Sequence, residues 1–189
     1  MQRKLIVAVT GASGAIYAKN LLDKLLKLKD KVSKVALLLS NNGKSVWKHE
    51  LGNESYANYP YQQFDVNDFF APVASGSCDF SSMVIIPCSM GTLGRIANGA
   101  SDNLIIRAAD VMLKEKRKLI LVTRETPLNL IHIENMKKIT LAGGVILPAS
   151  PSFYSKPNTI EELVNTITER VLSLVGIEDE RYKWGDKKF

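Results

Sequence analysis

Metal-ligating and redox side chains are nearly missing from this sequence. Its 189 residues include two histidines, His49 and His132, and two cysteines, Cys78 and Cys88. The cysteines form no CxxC pair, and no Cys/His spacing matches a zinc site, so reduced thiols are the simplest reading. A Ser/His/Asp arrangement for nucleophilic catalysis is also lacking. Long hydrophobic runs are absent. No window approaches the roughly 20 apolar residues of a membrane-spanning helix. The run Leu5–Val9 stops at Thr10-Gly11, short of the about 7–15 residues of a secretory core. The expectation is a cytoplasmic protein without a membrane span. Aromatic residues do not interleave with basic ones as in nucleic-acid binders, so no nucleic-acid partner is expected. The basic run Lys114–Lys118 reads as a solvated helix end. Repeats, low-complexity stretches and linkers are missing too, which predicts one domain over 1–189 with a charged, aromatic tail from about 176.

What remains is an ordinary globular composition, 46% apolar and 23% charged, with a net charge of +6. A basic balance suits phosphorylated ligands, among others. Short apolar runs at Leu5–Val9, Val35–Leu39, Met83–Ile86, Leu119–Val122 and Val145–Leu147 predict five strands. Their continuous apolar character is that of a sheet buried on both faces. Helical spacing separates them: Ala18 to Leu28, Gly43 to Leu51, Met90 to Ala97, Leu104 to Lys116 and Leu128 to Ala142. A final helix starts at the capping box Thr159-Ile-Glu-Glu162. Gly52 to Phe70 shows no period and reads as a surface excursion. The prediction is an α/β fold, a Rossmann/flavodoxin-like three-layer sandwich with a parallel sheet.

In such sheets ligands lie beyond the carboxyl ends of the strands. Each of these ends carries hydroxyls, glycines or a charge. They are Thr10-Gly-Ala-Ser-Gly-Ala15, Ser40-Asn-Asn-Gly43, Pro87-Cys-Ser-Met-Gly-Thr92, Thr123-Arg-Glu-Thr126 and Pro148-Ala-Ser-Pro-Ser-Phe-Tyr154. Gly11-Ala-Ser-Gly14 opens a helix, where backbone N–H groups and the helix dipole attract an anion. A tight turn needing glycine for geometry explains it equally simply. The turn departs from GxGxxG, which favours a mononucleotide such as FMN over a dinucleotide. Ser89 reads as a helix cap or a ligand contact. Arg124 and Glu125 follow a buried strand directly, as an anion-binding cation beside a proton-transfer carboxylate or as a structural ion pair. Arg107 and Lys114 share one helix face with Asp110 between them, which by itself is an ordinary solvated face. Glu50 follows Ser40 by ten residues and could turn toward the same crevice, although a solvated helix carboxylate is the default. Arg170 borders an apolar stripe, and Tyr154 lies in a loop.

Taken in order, Thr10–Ala15, Ala74-Ser-Gly-Ser77, Pro87–Thr92, Arg107-Ala-Ala-Asp110, Arg124-Glu-Thr-Pro127 and Pro151-Ser-Phe-Tyr154 resemble the UbiX-type flavin prenyltransferase family, from about Lys4 to Trp184. The resemblance implies a metal-independent enzyme that moves a dimethylallyl group from dimethylallyl phosphate to N5 and C6 of reduced FMN. It implies that prenylated FMN goes to a UbiD-type decarboxylase, and that the assembly is a homododecamer with sites between subunits. FMN contacts carry over onto Gly11, Ala12, Ser13, Ser40, Ser89, Met90, Gly91, Thr92 and Arg124. Contacts to dimethylallyl phosphate carry over onto Tyr154 and Arg170, with the catalytic set Glu125, Lys114, Glu50 and Arg107 around the phosphate. Asn41-Asn42 and the segment Tyr56 to Tyr61 match no pattern of the family. A flavin-dependent cysteine decarboxylase remains an alternative, although its active-site histidine and Pro-x-Met-Asn-type segment are not seen. So does a non-catalytic carrier of modified FMN.

Overall fold

The computed structural model describes residues 2–177 and 185; the tail residue Trp184 lies outside the described residues. Six parallel strands form one sheet in the order β3-β2-β1-β4-β5-β6. They are β1 (Arg3–Val9), β2 (Val32–Leu39), β3 (Gln62–Phe64), β4 (Ser82–Cys88), β5 (Lys118–Thr123) and β6 (Val145–Pro148). The helices are α1 (Ala15–Lys27), α2 (Asn41–Leu51), α3 (Met90–Ala97), α4 (Leu104–Lys114), α5 (Leu130–Leu141) and α6 (Ile160–Leu174).

The continuous apolar runs work because alternate residues enter different cores. Ile6 and Ala8 of β1 pack with Leu93 of α3, Ala108 and Met112 of α4, and Ile139 of α5. Leu5, Val7 and Val9 pack instead with Leu21 and Leu25 of α1, Trp47 of α2 and Val171 of α6. Two helical layers therefore enclose the sheet, as the sequence predicts. The Thr159 capping box is formed: its Oγ1 accepts from Glu162 N at 3.1 Å, and Glu162 Oε2 accepts from Thr159 N at 3.2 Å.

Several boundaries differ from the sequence expectation, three of them for a clear physical reason. A sixth strand, β3, lies inside the segment read as an excursion. It is a three-residue edge strand paired only with β2, and Phe64 alone of its side chains is half-buried, so no apolar run announces it. β4 runs past Pro87 to Cys88, with a register shift in its ladder to β5 where the proline lacks an N–H. α5 begins at Leu130, because Asn129 caps it and accepts from His132 N at 2.9 Å. His132 thus serves the helix end. No helix of the described residues is long and apolar enough to cross a membrane.

Candidate active site

The strand order reverses between β1 and β4. The chain leaves β1 toward β2 and β3 on one side, and leaves β4 toward β5 and β6 on the other. Loops that diverge in this way open a crevice at the carboxyl edge. Thr10 fastens the two sides below it: its Oγ1 donates to Pro87 O at 2.8 Å and accepts from Ser89 N at 2.9 Å.

Two helices aim their N-termini at this edge, and serines cap both. Ser40 Oγ accepts from Gly43 N at 3.0 Å, and Ser89 Oγ accepts from Thr92 N at 3.3 Å. Each cap satisfies one of the unpaired N–H groups at its helix start. Met90 and Thr92 are buried behind the second cap, while Gly91 presents open space. Ala12 is buried in the β1 loop beside Gly11. A Cβ added at Gly11 would stand 2.5 Å from Cβ of Asn42. Glycine is required there because the β1 loop and the start of α2 approach so closely. This also gives Asn42, which matches no sequence pattern, a packing role.

The start of α1 is occupied differently from the sequence expectation. Gly14, at φ 112°, forms the turn. Glu50 reaches across from the last turn of α2 and accepts from Gly14 N at 3.0 Å and Ala15 N at 2.8 Å. The anion at this helix N-terminus is the chain's own carboxylate. Burial alone would raise the Glu50 pKa, but the Ser13 hydroxyl, the Ala15 and Gly14 N–H groups and the Arg124 charge outweigh it. The net direction is down, so Glu50 stays ionised at neutral pH. A carboxylate that looks solvated in the sequence is therefore a fixed charge at the crevice.

Arg124 emerges from β5 with its backbone N donating to Cys88 O at 3.3 Å. Its Nε is buried and has no hydrogen-bond partner among the described residues. A guanidinium N–H left in that position fits an anionic ligand. Together with the open space at Gly91 and the two helix starts aimed at this edge, the residues present fit an FMN. Glu125 is exposed on the same loop, where its Oε1 accepts from Thr126 N at 3.1 Å.

A separate cavity of about 480 Å³ opens beyond β6, lined among others by Pro148, Ser150, Ser152, Tyr154, Thr166 and Arg170. The loop after β6 is tied to the Arg124 loop by Ala149 N donating to Thr123 O at 2.8 Å. The cavity therefore lies at the same edge of the sheet as the Arg124 loop. Arg170 is exposed in the single chain. Although it borders an apolar stripe, its charge is therefore not desolvated, and what offers an anion a place beside it is the cavity.

Arg107 and Lys114 are not brought to this cluster within one chain. Arg107 Nε donates to Ala74 O at 3.0 Å, and its Nη1 pairs with Asp110 Oδ2 at 2.8 Å. Lys114 pairs with Glu115 beside Gly76. That end of α4 leads straight into Lys118, the first residue of β5, and so lies at the amino edge of the sheet.

The Flavoprotein family profile matches residues 1–172. The flavin prenyltransferase UbiX of Methanocaldococcus jannaschii is 45% identical over 185 residues, covering 96% of this chain and 98% of that protein. This chain is a member of the UbiX flavin prenyltransferase family. The structure of AnUbiX in complex with FMN and dimethylallyl pyrophosphate is similar with a TM-score of 0.90 and 41% identity, covering 97% of this chain and 98% of that one. The dodecameric FMN-dependent UbiX-like decarboxylase of Escherichia coli O157:H7 is similar at a TM-score of 0.90 and 39% identity, covering 95% and 98%. The UbiX resemblance read from the six sequence motifs is thus shown, as is the flavodoxin-like parallel fold.

Proposed function

We propose that this chain is a cytoplasmic, single-domain enzyme that transfers the dimethylallyl group of dimethylallyl phosphate to N5 and C6 of reduced FMN. Its product, prenylated FMN, goes to a UbiD-type decarboxylase. The observation that carries this reading is the pairing of two sites in a UbiX chain. Next to the crevice between β1 and β4, the loop after β5 carries an Arg124 Nε with no partner among the described residues, and a cavity at the same sheet edge is lined by Tyr154 and Arg170.

Gly11, Ala12, Ser13, Ser40, Ser89, Met90, Gly91, Thr92 and Arg124 hold FMN. Reduced FMN, when bound, supplies the electron-rich N5 and C6. Arg170 and Tyr154 bind the donor phosphate. As the allylic C–O bond breaks, its electron pair passes to the phosphate oxygen, and hydrogen bonds and positive charge aimed at that oxygen lower the barrier. Glu125 or the released phosphate takes up the N5 proton as the first bond forms. The second bond, from C6 to the far allylic carbon, forms as the middle allylic carbon gains a proton and C6 loses one, so the same acid and base return what they take. Glu50, held ionised on the α1 start, adds a fixed negative charge at the crevice. The decisive experiment is the mass of the flavin after the reduced, FMN-loaded protein meets dimethylallyl phosphate. A product heavier than FMN by one dimethylallyl unit less a proton is expected; unmodified FMN overturns the reading.

The assembly in this reading is a homododecamer. Leu130, Ile131, Ile133 and Leu141 of α5 are exposed, as are Phe69 and Phe70. An apolar surface of that kind marks a protein interface. Subunit contact also lets Arg107 and Lys114 serve a neighbour's pocket. Ile131→Asp is expected to shift the sedimenting species from a dodecamer to a smaller one. An unchanged dodecamer would remove α5 from the interface.

A further inference from the structure

The α2 helix joins two parts of the candidate site. Its start, capped by Ser40, lies against Gly11 of the β1 loop. Its end carries Glu50 onto the Gly14 and Ala15 N–H groups. Between them, one turn before Glu50, stands Trp47, fully buried.

The Trp47 ring meets Tyr56 edge-on, with centroids 5.8 Å apart at 87°, and Tyr59 likewise at 6.5 Å and 84°. Tyr59 stacks on Tyr61 at 5.7 Å and 6°. The far ends of these tyrosines are tied to α1. Tyr59 Oη donates to Asp23 Oδ1 at 2.6 Å, and Tyr61 Oη donates to Leu22 O at 2.9 Å. Lys19 Nζ holds the other oxygen of Asp23 at 2.6 Å. Burial, then the hydrogen bond and charge of Asp23, raise the Tyr59 pKa, so the phenol remains a donor. The Trp47 Nε1 has no hydrogen-bond partner among the described residues, so α2 meets the tyrosine segment here through ring contact. The segment that matches no sequence pattern thus fastens α1 to α2, and the same two helices meet again at Glu50.

We propose that Trp47, with Tyr56, Tyr59 and Tyr61, is a positioning device that fixes α2 against α1 and so holds the Glu50 carboxylate on the α1 N-terminus. Hydrogen bonds weaken steeply with distance and angle, so a small shift of the last turn of α2 is enough to lose both N–H contacts. The consequence for turnover rests on the prenyltransferase reading; the placement of Glu50 does not.

The test compares Trp47→Leu, Trp47→Phe and Tyr59→Phe in the full-length, FMN-loaded protein, each with Glu50 and with Glu50→Gln. Amide hydrogen exchange is read at Gly14 and Ala15, and prenylated-FMN formation is read separately. Trp47→Leu should exchange these two amides about tenfold faster and slow prenylation about tenfold, the scale expected when a reacting group is misplaced. Trp47→Phe should restore most of both. Tyr59→Phe should show a smaller change, about threefold, and it decides the matter if Trp47→Leu fails to fold. In the Glu50→Gln background none of these substitutions should slow prenylation further. Unchanged exchange at Gly14 and Ala15 in the folded variants overturns the proposal. So does a full loss of rate that persists with Glu50→Gln. If the unaltered protein makes no prenylated FMN, the prenyltransferase reading falls, while the exchange measurements still decide whether Trp47 positions Glu50.

Discussion

Arg170→Ala is expected to bind FMN as the unaltered protein does and to lose prenylated-flavin formation by ~10²-fold or more. Arg170 and Tyr154 line the cavity beyond β6, whereas the crevice between β1 and β4 is built from other loops. In the proposed assignment, a cation in the separate cavity meets the donor phosphate and not the flavin. It gains most when the C–O bond breaks and charge builds on the departing oxygen, so the loss falls on kcat more than on KM. Tyr154→Phe removes one neutral hydrogen bond and should lose less, about tenfold. FMN affinity and prenylated-flavin formation must be measured separately for each variant. A parallel loss of FMN affinity and turnover in Arg170→Ala would place this residue with the flavin and favour a carrier of modified FMN over an enzyme.

The second large effect concerns Arg124. Its backbone is anchored to Cys88 O, and its Nε is buried without a partner among the described residues. Arg124→Ala should weaken FMN binding by about 10- to 100-fold, matching the roughly 1.5–3 kcal/mol of a hydrogen bond to a charged group. Fluorescence titration with FMN reads this directly. Unchanged affinity would make Arg124 a structural residue whose charge serves Glu50 alone.

Much of this was legible in the sequence for a physical reason. Strands buried on both faces must be apolar throughout, so Leu5–Val9 and Leu119–Val122 announce themselves. Five of the six strands could be found this way, and β3 could not: an edge strand with one half-buried side chain has no apolar pattern to show. The carboxyl-edge loops were also legible, because a parallel α/β sheet places every one of them on the same edge. Ser40 and Ser89 do cap helices there.

The partners of individual side chains were not legible. Glu50 stands 36 residues from Gly14, and no local spacing says that the carboxylate closes on that helix start. The tyrosines of segment 56–61 looked like surface aromatics; their stacking on one another and their bonds to α1 exist only once β3 has paired with β2 and turned the segment back. Arg107 and Lys114 share a face in the sequence, yet α4 carries Lys114 to the amino edge of the sheet, away from Arg124.

The sequence by itself determined the sheet, its two helical layers, the edge that carries the chemistry and the family. Periodicity, capping residues and glycine turns are local properties, and a few residues suffice to state them. The tertiary structure decided which charge meets which helix end. It set Glu50 on α1, left Arg124 Nε buried without a partner among the described residues and gave Tyr154 and Arg170 a cavity of their own. Those outcomes depend on distances between segments far apart in the chain, which are fixed only when both faces of the sheet are packed.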